Sequence, residues 1–196
     1  MNFKLYKREK GDSLVEELRK LQLVELGILK SFVELCEKHD IRYYLIGGSA
    51  LGAVRHSGFI PWDDDIDVGI PREDYEKLLG IPQQYAPTEI KICNFKTEDE
   101  YPYYFTKVCD PNTTLIEEKT QHLNYSKHVF IDVFPLDGVP SSQAKLKVHF
   151  YKIKVYKKIL HLISGITKNE VNLLKNILIK IFRVVFSKKW VHSRLN

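Results

Sequence analysis

Trp62-Asp63-Asp64-Asp65-Ile66-Asp67-Val68-Gly69-Ile70 is the stretch on which the fold turns. Four carboxylates fall within five residues and repel one another, which a folded chain tolerates poorly without a cation. Over 65–70 polar and apolar residues alternate, the mark of a half-buried strand. Ile66, Val68 and Ile70 then point into the core, and Asp65 and Asp67 share the opposite face. Their Cα atoms are expected roughly 6.5–7 Å apart, and two such carboxylates can hold metal ions about 3.5–4 Å apart, the spacing used in two-metal phosphoryl transfer. Oxygen-only ligands select Mg²⁺ or Mn²⁺ over zinc. The competing reading is a solvated acidic loop. The flanking Ile60-Pro61-Trp62 and the apolar alternation separate this run from a polar tail.

Upstream, the β-forming residues 41–46 end at Gly47-Gly48-Ser49, and a short helix is expected over 49–56. A strand that ends in glycines at a helix start is a phosphate cradle: backbone N–H groups can approach phosphate oxygens, and the helix N-terminus adds partial positive charge. Ser49 is expected to cap that helix and to bind phosphate. Alone the signal is weak; placed before the acidic run it gains weight. Downstream, 129–134 reads as a strong strand containing Ile131-Asp132-Val133. A core strand rarely carries an unpaired charge. Asp132 is therefore either paired with a nearby Lys or Arg, or it is a third metal carboxylate and the base for an acceptor hydroxyl.

The rest of the chain supplies the frame. A helix is expected from a capping box at Ser13 and Glu16 to about His39, with Leu14, Leu18, Leu21, Leu26, Leu29, Val33 and Cys36 on its apolar face. Another follows over 71–79, with weaker strands over 89–94 and 103–108. Helices are expected from Ser141 to Ser164 and, after Gly165, to about Lys189. Strands interleaved with helices imply an α/β (α+β) domain, a mixed sheet flanked by helices. The expected division is a catalytic domain over 1–140 and a basic helical extension over 141–196. The net charge of +5 conceals this division, because the first part carries −7 and the second +12. The acidic part suits cations, and the basic part suits phosphate, nucleic acid or an anionic lipid surface. Three cysteines without a C-x-x-C pair argue against zinc or a disulfide framework and for a reducing compartment. The first residues lack the apolar segment of a signal peptide, and no apolar run is long enough to span a membrane, so a cytoplasmic location is expected. The basic helices lack regularly interleaved aromatics, which argues against nucleic acid as a partner.

Gly-Gly-Ser, Asp-Ile-Asp-Val and Ile-Asp-Val together match the three-part signature of the nucleotidyltransferase fold. The fuller string GGSALGAVRHSGFIPWDDDIDVGIPREDYEKL, with VFIDVFPLDG downstream, resembles the LicD family of phosphocholine and related phospho-alcohol transferases, which is related to the fukutin-type transferases. The resemblance is dense over about 43–79 and 103–138. It implies transfer of a phospho-alcohol from a CDP-activated donor, commonly CDP-choline, to a hydroxyl of a cell-surface glycan such as teichoic acid or lipopolysaccharide, with CMP leaving. It places the metal acids on Asp65, Asp67 and Asp132 and the phosphate loop on Gly47, Gly48 and Ser49. An NTP-using nucleotidyltransferase needs the same acids and differs only in donor. The resemblance also implies a longer C-terminal segment, so a short or truncated member, including a non-catalytic one, is a further expectation.

Arg55 has two readings, a pyrophosphate contact or a partner of Asp63 or Asp64. Lys107 is a phosphate contact or a surface strand lysine. Asp63 and Asp64 orient metal waters or cap the turn. His56 is expected to be structural. Trp62 and Tyr104 belong to the core, or else stack a base or cradle a choline cation. Over 172–189, Leu173, Leu174, Ile177, Leu178, Ile181, Val184 and Val185 form an apolar arc. That arc packs on the domain, or it lies on the inner membrane surface, which would suit a lipid-linked acceptor.

Overall fold

The computed structural model describes residues 2–5, 12–164, 190, 191 and 194. The second basic helix and the apolar arc expected on it lie outside these residues. By contact the chain forms two units. The first comprises Met1–Cys93, Phe105–Glu118 and Ser126–Leu136, and the second Asn94–Tyr104, Lys119–Tyr125 and Asp137–Asn196.

In the first unit, helix α1 (Asp12–Lys38) owes its position to a stripe at three- and four-residue spacing. Leu21, Ile28, Phe32, Leu35 and Cys36 are buried on it, while Leu26, Leu29 and Val33 lie at its margin, half-buried. The helix ends in a left-handed turn. Asp40 takes φ 50°, and the Ile41 N–H reaches back to the Cys36 carbonyl at 2.9 Å, the hydrogen bond that closes a Schellman motif. Strand β2 (Tyr44–Leu45), helix α2 (Gly47–His56), strand β3 (Asp67–Pro71) and helix α3 (Arg72–Gly80) follow. After a 3-10 turn at Gln83–Tyr85 come β4 (Lys91–Cys93), β5 (Thr106–Asp110), β6 (Thr114–Glu117) and β7 (Val129–Leu136). With the first strand of the chain, Asn2–Leu5, labelled β1, the main sheet has the order β2-β3-β7-β5-β4, and β1 pairs with β6 in a separate parallel ribbon.

The architecture is the expected one, a mixed α/β sheet flanked by helices. Only β3 and β7 run parallel within the main sheet; β2, β4 and β5 pair antiparallel with their neighbours. The inward-facing Ile66, Val68, Ile70, Ile131 and Val133 are buried as their alternation predicts. Two details differ. Strand β3 begins at Asp67, so Asp65 lies in the loop before it. β1 and β6 were not expected: each is four residues long and exists through pairing with the other.

The second unit holds helix α4 (Gln143–Ser164), matching the first expected basic helix. Leu160, Ile163 and Val191 form its buried cluster, with Tyr104, Tyr156 and Ile159 against it. Tyr101, Tyr103 and Tyr125 pack edge to face at 5.6–6.2 Å. Among the described residues no helix is long and apolar enough to cross a membrane.

Candidate acid centre and glycine loop

The site is assembled by register. Asp67 on β3 lies opposite Asp132 on β7, and Asp132 lies opposite Lys107 on β5. Directly opposed residues share a sheet face, so the three form a row across adjacent strands roughly 4.8 Å apart. The alternation that buries Val68 and Val133 is what turns Asp67 and Asp132 to this face.

The glycine turn sits on the acids. Gly47 takes φ +56°, and a Cβ there would lie 3.2 Å from Asp67 Oδ2. A Cβ on Gly48 would lie 2.7 Å from Asp63 Oδ2. A side chain at either position would fill the space between the helix start and the carboxylates. Helix α2 begins at Gly47, two residues before the expected start, and its N-cap Ile46 makes no side-chain capping bond. Ser49 is therefore not a cap. It lies within the first turn, where its Oγ accepts the Asp67 N–H at 2.8 Å. Ile46 N–H donates to the Asp67 carbonyl at 3.1 Å. Asp67 is thus held at both backbone groups by the residues around the turn.

Asp63, Asp64 and Asp65 each bring a carboxylate oxygen within 4.8 Å of the others. The loop is anchored from α1, where Gln22 Nε2 donates to the Asp63 carbonyl at 2.8 Å. Among the described residues no lysine or arginine forms a salt bridge with Asp63, Asp64, Asp65 or Asp67. Burial first, then Asp67, Asp63 and Asp64, push the Asp65 carboxyl up to about 6. Burial and Asp63 raise Asp67. Burial pushes Asp132 up to about 7; Lys107 opposes this, while Asp67, Glu117 and Asp65 add to it. The Asp132 Oδ1 atom is buried with no hydrogen-bond partner. Unpaired carboxylates, an orphaned buried oxygen and a side-chain-free cradle suit a hard divalent cation. Asp65, Asp67 and Asp132 could hold one.

The remaining candidates separate. Lys107 is buried, which removes the surface-lysine reading. Its ammonium lies 3.3 Å from Glu117 Oε2 and 3.2 Å from the centre of the Phe130 ring. Arg55 is exposed in the last turn of α2, roughly 9 Å along the helix from Ser49. Among the described residues it pairs with neither Asp63 nor Asp64. His56 is exposed at the end of that helix. Trp62 is 77% exposed, which removes its core reading, and Tyr104 packs within the second unit beneath Lys157. Glu25, on α1, had no place among the expected site residues, yet it is 2% exposed and its carboxyl senses Asp65, Asp64, Asp132 and Asp63.

A parallel strand pair carrying opposed aspartates beside a glycine turn at a helix start defines a nucleotidyltransferase-fold domain. The profile of the LicD/FKTN/FKRP nucleotidyltransferase-domain family matches residues 40–192, and the chain belongs to that family. It is similar to the lipopolysaccharide cholinephosphotransferase LicD of Haemophilus influenzae, 34% identical over 180 residues, covering 87% of this chain and 64% of that protein. It is also similar to the human ribitol 5-phosphate transferase FKRP, 55% identical over 103 residues, covering 53% of this chain and 18% of that protein. The chain thus spans less than two thirds of the length of these relatives.

Proposed function

We propose that this domain transfers a phospho-alcohol, phosphocholine or a relative of it, from a CDP-activated donor to a hydroxyl of a cell-surface glycan. The carrying observation is the register of Asp67 with Asp132 beneath the Gly47-Gly48 turn. The names of the relatives, a cholinephosphotransferase and a ribitol-phosphate transferase, support the class of transferred group. On this reading Asp65, Asp67 and Asp132 hold Mg²⁺ or Mn²⁺, which supplies neutralisation of charge on the phosphoryl oxygens. The N–H groups of the α2 first turn face the donor phosphates. Asp132 also takes the proton of the acceptor hydroxyl. The hydroxyl oxygen forms the new bond to phosphorus, the bond to the cytidylyl oxygen breaks, and CMP leaves. Phosphoryl transfer depends on such positioning and charge compensation more than on covalent catalysis. The basic residues 141–196 suit a lipid-linked acceptor at the cytoplasmic face of an anionic membrane.

Calorimetric titration of CDP-choline with and without Mg²⁺, in the wild type and in Asp65→Ala and Asp67→Ala, tests this. The expected result is Mg²⁺-dependent binding that CTP does not match and that both variants lose. Tight CTP or ATP binding with no response to CDP-choline would replace the reading with an NTP-using nucleotidyltransferase. No nucleotide binding by a folded sample would leave a non-catalytic member of the family.

A further inference from the structure

We propose that Glu25 of α1 belongs to the divalent-cation site, as a carboxylate supplied from the helix whose Gln22 anchors the acid loop. The inference rests on the functional reading above only in requiring a cation at the acid centre.

Glu25 occupies a place that the helix pattern assigns to an apolar residue. It follows Leu21 and Gln22 and precedes Ile28 on the buried stripe, and it is 2% exposed. A leucine there would extend the stripe at no polar cost. Instead the position holds a carboxyl whose Oε2 is buried with no hydrogen-bond partner. Leaving such a group unsatisfied is destabilising, and more so if it is charged. Its electrostatic neighbours are all acids, with Asp65 first, then Asp64, Asp132 and Asp63. The placement is fixed rather than loose. Gln22, one turn earlier on the same face, is bonded to the Asp63 carbonyl, so Glu25 lies only roughly 4.5 Å further along an axis already pinned to the acid loop. The same unit satisfies another buried acid, Asp74, completely with Arg42 and Lys77. Glu25 has no such partner among the described residues, and a cation held by the strand acids would provide one.

The test is direct binding of Mn²⁺ alone, read by the loss of the free-ion electron paramagnetic resonance signal, to wild type, Glu25→Gln and Asp65→Asn. Glu25→Gln keeps the shape of the side chain and removes its charge. Affinity is expected to fall roughly 10- to 100-fold, the usual cost of losing a supporting group at a metal site. The unfolding midpoint in EDTA is expected to stay the same or rise. Equal Mn²⁺ affinity in wild type and Glu25→Gln would overturn the proposal and leave the cation site intact, marking Glu25 as a buried neutral acid. No Mn²⁺ binding by the wild type would remove the cation reading itself and Glu25 with it. If Glu25→Gln does not fold, Glu25→Asp carries the same test. Its arm is one methylene shorter, so weakened Mn²⁺ binding supports the proposal and unchanged binding overturns it.

Discussion

Two groups of acid in the same unit, the buried Asp74 and the half-buried Asp65, Asp67 and Asp132 with the buried Glu25, have been treated in opposite ways. Asp74, in the first turn of α3, is 1% exposed, yet its carboxylate accepts Arg42 Nε at 2.6 Å and Arg42 N–H at 3.2 Å and lies 2.8 Å from Lys77 Nζ. Hydrogen bonds from Lys77 and then Arg42 hold it down at about 2. At the acid centre, by contrast, Asp65, Asp67, Asp132 and Glu25 are all raised, and burial leads the causes in each case. Burial does not explain the contrast, because Asp74, more buried than Asp65, Asp67 or Asp132, is the one held down. The partner does: Asp74 finds its cations within the chain and serves the fold, whereas among the described residues the acid centre has no such salt bridge at Asp65 or Asp67, as the proposed cation site requires. A buried acid is thus a sign of chemistry when the chain declines to neutralise it.

This contrast can be broken by exchanging the effects of the two groups. Asp65→Asn removes one carboxylate from the centre. It is expected to cost roughly 10³-fold in transfer rate, the scale of losing a preorganised transition-state contact, while the unfolding midpoint in EDTA holds or rises. A fall in midpoint without a fall in rate would make Asp65 structural. Gly48→Ala sharpens the same point from the backbone side. The new methyl meets Asp63 Oδ2 at 2.7 Å, the tip of a side chain that can swing aside, so stability is expected to change little. Turning the Asp63 carboxylate aside and filling the cradle is expected to weaken donor binding about tenfold, as titration with the CDP-alcohol would read.

Asp74→Asn should do the reverse. It removes the charge that Arg42 and Lys77 bind, so the midpoint is expected to drop by roughly 5 °C, with Mn²⁺ affinity unchanged. The smallest effect expected is on pH dependence. Asp65 and Asp132 in the folded, cation-free chain keep protons that an unfolded chain releases near pH 4. Stability in EDTA should therefore fall as pH rises from about 4 through about 7, and Glu25 extends the fall toward 9. Asp74 gives the opposite slope: its contribution is present above about pH 4 and lost as pH falls toward 2. Midpoints measured across this range, with and without excess Mg²⁺, should show the upper slope flatten when the cation is present. A slope indifferent to Mg²⁺ would mean that the acids do not share a cation.

Much of the centre is legible locally. Asp67 and Asp132 stand out because each is an acid set between buried β-branched residues of a period-two pattern, and the glycine pair stands out because it closes a β-forming run at a helix start. What local pattern does not encode is pairing over distance. Residues 67 and 132 are 65 positions apart, and only the assembled sheet sets them opposite one another. β1 and β6 escape for the same reason, since four residues without a strong pattern become a strand only when a distant segment pairs with them. Alternation places Asp65 in the strand, because it does not show where hydrogen bonding begins. Glu25 lies within a helix whose reading follows its leucines. Its signal was there, in Gln22 and Glu25 holding places between Leu21 and Ile28 on the apolar stripe, and two polar residues on a buried face are worth following to their targets.

The opposed register of β3 and β7 has a consequence for how such a centre can change over evolutionary time. Alternation around a strand has only two phases, so a single inserted or deleted residue that shifted β7 against β3 would turn Asp132 inward and Val133 outward together. The chemistry and the hydrophobic core share one reading frame. Neither can drift along the strand while the other stays in place. Descendants of this domain either keep both aspartates in phase or lose the fold and the centre in the same step.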